Sequence, residues 1–73
     1  RAGVVDLREL GLNERQIEAL RLMMNEGRKL SNKEYQRLFD VAARTASRDL
    51  MQLVETEMAQ QEGQGRSTKY KAS

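Results

Sequence analysis

V-A-A-R-T-A-S-R-D-L-M-Q-L-V, residues 41–54, reads as one amphipathic helix whose two faces carry different chemistry. Val41, Ala46, Leu50, Leu53 and Val54 recur near a helical period and belong against a core. Arg44, Thr45, Ser47 and Arg48 fall on the opposite side, and all four can donate to phosphate oxygens or base edges. Outward from this segment, a short helix precedes it and a glycine-flanked basic hairpin follows.

Upstream, Ser31 and Glu34 form an S-x-x-E capping box, which predicts a second helix running to about Phe39 with Tyr35, Leu38 and Phe39 on its inner face. Asp40, Val41 and Ala42 make the turn into the third helix. The first helix is predicted over 13–25. Asn13 caps it, Gln16 completes the box, and Leu12 with Ile17 forms a hydrophobic staple. Ile17, Leu20 and then Met23 or Met24 supply its buried stripe, and Gly27 stops it. Leu22 points away from that stripe, as a lone exposed apolar residue or a partner surface. Lys29, Leu30 and Ser31 form an extended link.

Downstream, 58–62 can form a strand, and Gly63, Gln64 and Gly65 signal a turn. S-T-K-Y-K at 67–71 then alternates, with Thr68 and Tyr70 on one face and Lys69 and Lys71 on the other. The expected fold is therefore mainly α, a winged helix-turn-helix of three helices and a small two- or three-stranded β-wing, in which Leu30 supplies the third strand.

Composition narrows the function classes. A chain of 73 residues is one domain at most. It has no Cys, which excludes disulfides and thiolate metal sites, and no His, the commonest general base and metal ligand. No apolar run approaches a membrane span and no signal-peptide pattern is present. The net charge is only +2, but charge is segregated. Residues 49–62 hold Asp49, Glu55, Glu57 and Glu62 and no base, whereas 63–73 hold Arg66, Lys69 and Lys71 and no acid. Such segregation can set a basic patch on one face. The chain begins at Arg1, so we expect it to come from a longer cytoplasmic protein. Residues 1–11 are then a leader or linker, in which Val4, Val5, Leu7 and Leu10 make a short turn or strand or simply end a linker, and 12–73 are the domain.

L-N-E-R-Q at 12–16, S-N-K-E-Y-Q at 31–36, R-T-A-S-R-D-L at 44–50, L-V-E at 53–55 and G-Q-G-R-S-T-K-Y at 63–70 fit one pattern. Over about 12–70 the chain resembles the bacterial winged helix-turn-helix at the C-terminus of many Fic-domain proteins (filamentation induced by cAMP). Its T-x-x-R-D-L core, 45–50, is similar to the recognition helix of DeoR-type transcription factors. The resemblance implies that Arg44, Thr45, Ser47 and Arg48 enter a major groove and that Arg66, Ser67 and Lys69 meet the backbone from the wing. Two positions depart from the pattern. Ala42 stands where the family has a Ser or Thr cap, at a cost of about 1 kcal/mol. Thr56 and Glu57 stand where it favours Gly, so the helix runs on by a turn or Glu57 carries backbone strain. The first wing strand is polar, with Gln60, Gln61 and Glu62, and is expected to fray.

The leading expectation is double-stranded DNA binding in transcriptional regulation, through a helix at about 43–55 and a basic wing. Arg44 and Arg48 sit at i, i+4, where like charges repel by a few tenths of a kcal/mol; a guanine edge or a phosphate would exploit them, whereas the bland reading leaves both solvated near Asp40. Asp49 is expected to pair with Arg37 or Lys33, and Tyr35 is expected in the core. Gly63 to Arg66 lack the spacing of a phosphate-binding loop and read as a hairpin turn. Met51 lies on the flank of the third helix, where it is available for a subunit contact. The alternative is a protein-interaction or dimerisation module regulating an attached Fic-type nucleotidyltransferase domain. No catalytic, metal or cofactor residue is expected in this segment; an H-P-F motif needs His and Pro, so AMP transfer would belong to a missing N-terminal part. The other partners considered are a second copy of the chain and that N-terminal domain; no membrane partner is expected.

Overall fold

The first two helices begin where their capping chemistry lies. The structure, a computed structural model, describes residues 11–73 apart from the side chain of Arg66. Of the expected leader, 1–10 lie outside the described residues. Helix α1, Glu14–Glu26, starts at Asn13, whose Oδ1 accepts from the Gln16 backbone N–H at 2.9 Å, while Gln16 Oε1 accepts from the Asn13 N–H at 2.7 Å. Gly27 ends it at φ 64°, a left-handed conformation that glycine adopts without strain. Helix α2, Asn32–Phe39, repeats the device with Ser31 and Glu34. Asp40 closes α2 at φ 52°, and Val41 and Ala42 lead into α3, Ala43–Glu55. Ala42 offers α3 no side-chain acceptor, as its identity requires.

Helix α3 stops at Glu55 rather than running on. The Thr56 hydroxyl donates to the carbonyls of Gln52 (3.0 Å) and Leu53 (3.1 Å), and Glu57 turns the chain at φ 64°. The backbone strain considered for Glu57 is thus the alternative realised, since a non-glycine residue there costs roughly 1–2 kcal/mol. Strands β1, Ala59–Glu62, and β2, Lys69–Ala72, then pair antiparallel from Ala59 opposite Ala72 to Glu62 opposite Lys69. The polar first strand is paired along its length. Both strands start later than expected, by one residue and by two, because Met58 belongs to the approach and Gly65–Ser67 form a 3-10 turn. Leu30 joins the sheet as a single bridge, exchanging two 2.8 Å hydrogen bonds with Tyr70.

The core collects Leu12, Ala19, Leu20 and Met23 from the α1 side, Leu30 and Tyr35, then Ala46, Leu50 and Leu53 from α3, with Ala59 and Tyr70 of the hairpin closing it. Met23 therefore takes the inward place and Met24 is 65% exposed; Leu22 is half-buried rather than a lone exposed residue. On α2 the expected inner face narrows. The Tyr35 and Phe39 rings pack tilted by 56° with centroids 4.6 Å apart, whereas Leu38 is 41% exposed. Successive helical residues rotate by about 100°, so Phe39 lies about 40° from Tyr35 and Leu38 about 60° to the other side. A helix of 8 residues packs one narrow row, and Leu38 falls off it. Among the described residues no helix is long and apolar enough to cross a membrane.

Candidate nucleic-acid interface

The position of α3 is set by one buried carboxylate. Asp49 Oδ2 accepts from Arg15 Nε at 2.8 Å and from the Tyr35 hydroxyl at 2.7 Å, and Oδ1 accepts from Asn13 Nδ2 at 3.2 Å. The Asp49 backbone carbonyl accepts from Gln16 Nε2 at 3.0 Å, and the same amide donates to Gln52 Oε1 at 3.0 Å. All three helices meet at this point. Burial pushes the Asp49 carboxyl up, but the hydrogen bonds from Arg15, Tyr35 and Asn13, with the Arg15 charge, outweigh it and hold the group below its ordinary value. Burial, then the bond to Asp49, pushes the Tyr35 hydroxyl far up, so it remains a donor. The expected partner of Asp49, Arg37 or Lys33, is replaced by Arg15. Asp49 points inward toward α1, while Lys33 and Arg37 are exposed.

With Ala46, Asp49, Leu50 and Leu53 inward, α3 turns Arg44, Ser47 and Arg48 to solvent, and Thr45 is half-buried at the edge. Its first turn has no acid. The first intrahelical bond runs from the Ala46 N–H to Ala42, so the N–H groups before it have no helical acceptor. Asn32 Nδ2 donates to the Ala43 carbonyl at 3.2 Å and so ties the start of α2 to the start of α3. Among the described residues Asp40 does not reach Arg44 within ion-pair distance, and no carboxylate meets Arg48.

The cations divide by location. Arg15 pairs with Asp49, Arg21 with Glu18, Arg28 with Glu34 and Lys29 with Glu62, all on α1 or the link after it. Lys33, Arg37, Arg44, Arg48 and Lys69, on α2, α3 and β2, are exposed and form no ion pair among the described residues. Sequence reasoning singled out Arg44, Arg48 and Lys69 but not Lys33 and Arg37 as ligand contacts. Their i, i+4 spacing, the same as that of Arg44 and Arg48, was a visible signal.

On the hairpin the expected alternation holds, with Tyr70 buried and Lys69 outward. Lys71 also faces outward, but its Nζ lies 3.3 Å from Glu62 Oε2, while Lys29 Nζ holds Glu62 Oε1 at 2.7 Å. These two hydrogen bonds, that from Lys29 first, pull the Glu62 carboxyl below its usual value. Lys71 is therefore engaged, unlike the exposed Lys69. The tip is shaped by its own backbone. Ser67 Oγ donates to the Gln64 carbonyl at 2.9 Å, and a Cβ on Gly63 would sit 2.8 Å from the Ser67 carbonyl oxygen. Arg66 belongs to this tip turn, next to the exposed Ser67. A polar cleft of about 720 Å³, lined by no acid, separates the tip and β2 from the start of α2 and includes Asn32, Lys33, Gln36 and Thr68.

No protein-family model, no curated protein and no solved structure matches this chain. The functional reading accordingly stands on the residues themselves.

Proposed function

We propose that residues 12–73 are a winged helix-turn-helix that binds double-stranded DNA, with α3 in the major groove and the hairpin along the backbone, as part of a transcriptional regulator resembling the Fic-associated and DeoR-type modules. The supporting observation is the division of cations: among the described residues Lys33, Arg37, Arg44, Arg48 and Lys69, on α2, α3 and β2, form no ion pair, while those around α1 are neutralised. This reconciles a net charge of only +2 with a face suited to a polyanion. On this reading Arg44 and Arg48, both exposed on α3, take guanine edges bidentately or phosphates. Ser47 and Thr45 add short donors near the α3 start, where unsatisfied N–H groups favour an anion. Arg66, Ser67 and Lys69 carry the backbone contact of the wing.

The test is fluorescence anisotropy of a labelled random duplex across a salt series, with the wild-type chain and the Arg44→Ala/Arg48→Ala variant. Phosphate contacts by three to five cations correspond to a slope of log K against log salt of roughly −3 to −4.5. Salt-sensitive binding that the double variant loses is the expected result. On a preferred sequence, each arginine that reads a base is worth about 1–3 kcal/mol. No binding at low salt by a folded chain would turn the reading to its alternative, a docking or dimerisation module regulating a Fic-type domain. The exposed Met24 and Leu38 favour that alternative.

A further inference from the structure

We infer that Met51 is a specificity residue that reads a thymine methyl group from the groove face of α3. The inference rests on the DNA-binding reading above and names one of its base contacts. Met51 is 43% exposed although α3 has a well-defined buried side. At about 100° per residue, Arg44, Arg48, Met51 and Glu55 form a row within about 60° of arc, facing away from Ala46, Leu50 and Leu53. Met51 lies about 10 Å along the axis from Arg44, one turn beyond Arg48.

Core filling does not account for this side chain, because Leu50 and Leu53 are fully buried beside it and Val54 packs against the core. Nor does Met51 share a helix with the other exposed large apolar residues, Met24 and Leu38. It is the apolar member of a row that begins with two unpaired arginines and ends at the Glu55 carboxylate. A polyanion approaching this row meets attraction over the first two turns and repulsion at the last, which makes Met51 the final position that base edges can touch. The apolar feature of a major groove is the C5 methyl of thymine. An unbranched, polarisable thioether suits contact with it.

The experiment uses the 73-residue chain. A preferred site is selected from a random duplex pool, and each thymine is then replaced singly by uracil, which removes the methyl and nothing else. Anisotropy compares wild type, Met51→Ala and Met51→Leu, with thermal unfolding as the check on folding. Wild type is expected to lose about fourfold in affinity at one thymine, the worth of one buried methyl. Met51→Ala is expected to bind the thymine site more weakly and to be indifferent to that replacement, while Met51→Leu keeps most of the discrimination. Identical thymine-to-uracil responses in wild type and Met51→Ala at every position would overturn the inference and leave DNA binding standing. Absence of duplex binding by the folded wild type would remove the DNA reading and this inference with it.

Discussion

The surroundings of α1 and the surface of α2, α3 and the hairpin treat positive charge in opposite ways. Around α1 every described cation has a carboxylate, from the half-buried Arg15–Asp49 pair at 2.8 Å to the exposed Arg21–Glu18 pair at 3.8 Å. Across α2, α3 and β2 the rule reverses among the described residues for Lys33, Arg37, Arg44, Arg48 and Lys69, whereas Lys71 is held. Local sequence does not force this at Arg44, since Asp40 lies four residues before it in the chain. One side uses charge to join elements, and the other keeps it available. The Arg15–Asp49 pair connects the two regions, because Asp49 is buried on the inward face of the helix whose outward face carries Arg44 and Arg48.

The largest expected effect breaks the comparison at this connection. Asp49→Ala leaves Arg15, Asn13 and the buried Tyr35 hydroxyl without their acceptor. Removing one member of such a pair costs about 3–5 kcal/mol, and the partial exposure of Arg15 argues for the lower end. That is a large share of the roughly 4–11 kcal/mol expected of a chain this size. Urea unfolding followed by circular dichroism should show a strongly lowered midpoint; a midpoint within about 0.5 kcal/mol of wild type would deny Asp49 its joining role.

The same cluster sets the expected pH dependence. The Asp49 carboxyl is held below its ordinary value, so near and below about pH 4 the unfolded chain binds the proton more readily than the folded one. Its contribution is present above that range and is lost as pH falls through the folded value. Tyr35 is shifted upward, so above about pH 10 the unfolded chain gives up its proton first, and stability falls as pH rises. Stability curves should therefore lose their acid limb in part in Asp49→Asn and their alkaline limb in part in Tyr35→Phe. Unchanged limbs would assign them to other groups.

A smaller effect separates stability from availability at the start of α3. Ser at position 42 would supply the acceptor that Ala42 lacks, and φ −73°, ψ 161° already suits a cap. Ala42→Ser should stabilise by about 1 kcal/mol. For a domain of this size that raises Tm by about 4–8 °C. On the proposed reading the new hydroxyl competes for N–H groups that would otherwise face phosphate, so duplex affinity should fall while Tm rises. A parallel rise in both would show that the uncapped start plays no part in binding.

What could be read from sequence follows the range of the interactions concerned. The caps at Asn13 and Ser31, the Gly27 stop and the hairpin alternation depend on residues a few positions apart, and each was legible. So was the outward placement of Arg44, Ser47 and Arg48, because helical rotation sets it once Ala46, Leu50 and Leu53 are inward. Asp49 was misassigned because Arg15 is 34 positions away and becomes its neighbour only through the packing of α1 on α3. Gln16 was read as a cap, and its second role, bonding Asp49 and Gln52 from a fully buried position, depends on the same packing. The unpaired state of Lys33 and Arg37 was equally out of reach, because it depends on where every carboxylate lies in space.

The smallest expected effect tests the comparison most directly, because it removes one positive charge from each side. Arg21 and Glu18 are both largely exposed, and a pair of this kind is worth about 0.2–0.5 kcal/mol. Arg21→Ala should leave both the fold and the salt dependence of duplex binding nearly unchanged. Lys33→Ala removes the same charge from the start of α2, beside the polar cleft and the Asn32 tie to α3. Its affinity loss should be similar on every sequence, and the magnitude of its salt slope should fall by about 1. Net charge is identical in the two variants, so only the location of the lost cation can distinguish them. If their slopes coincide, the unpaired cations have no special relation to DNA, and the division between the two regions is a matter of surface chemistry alone.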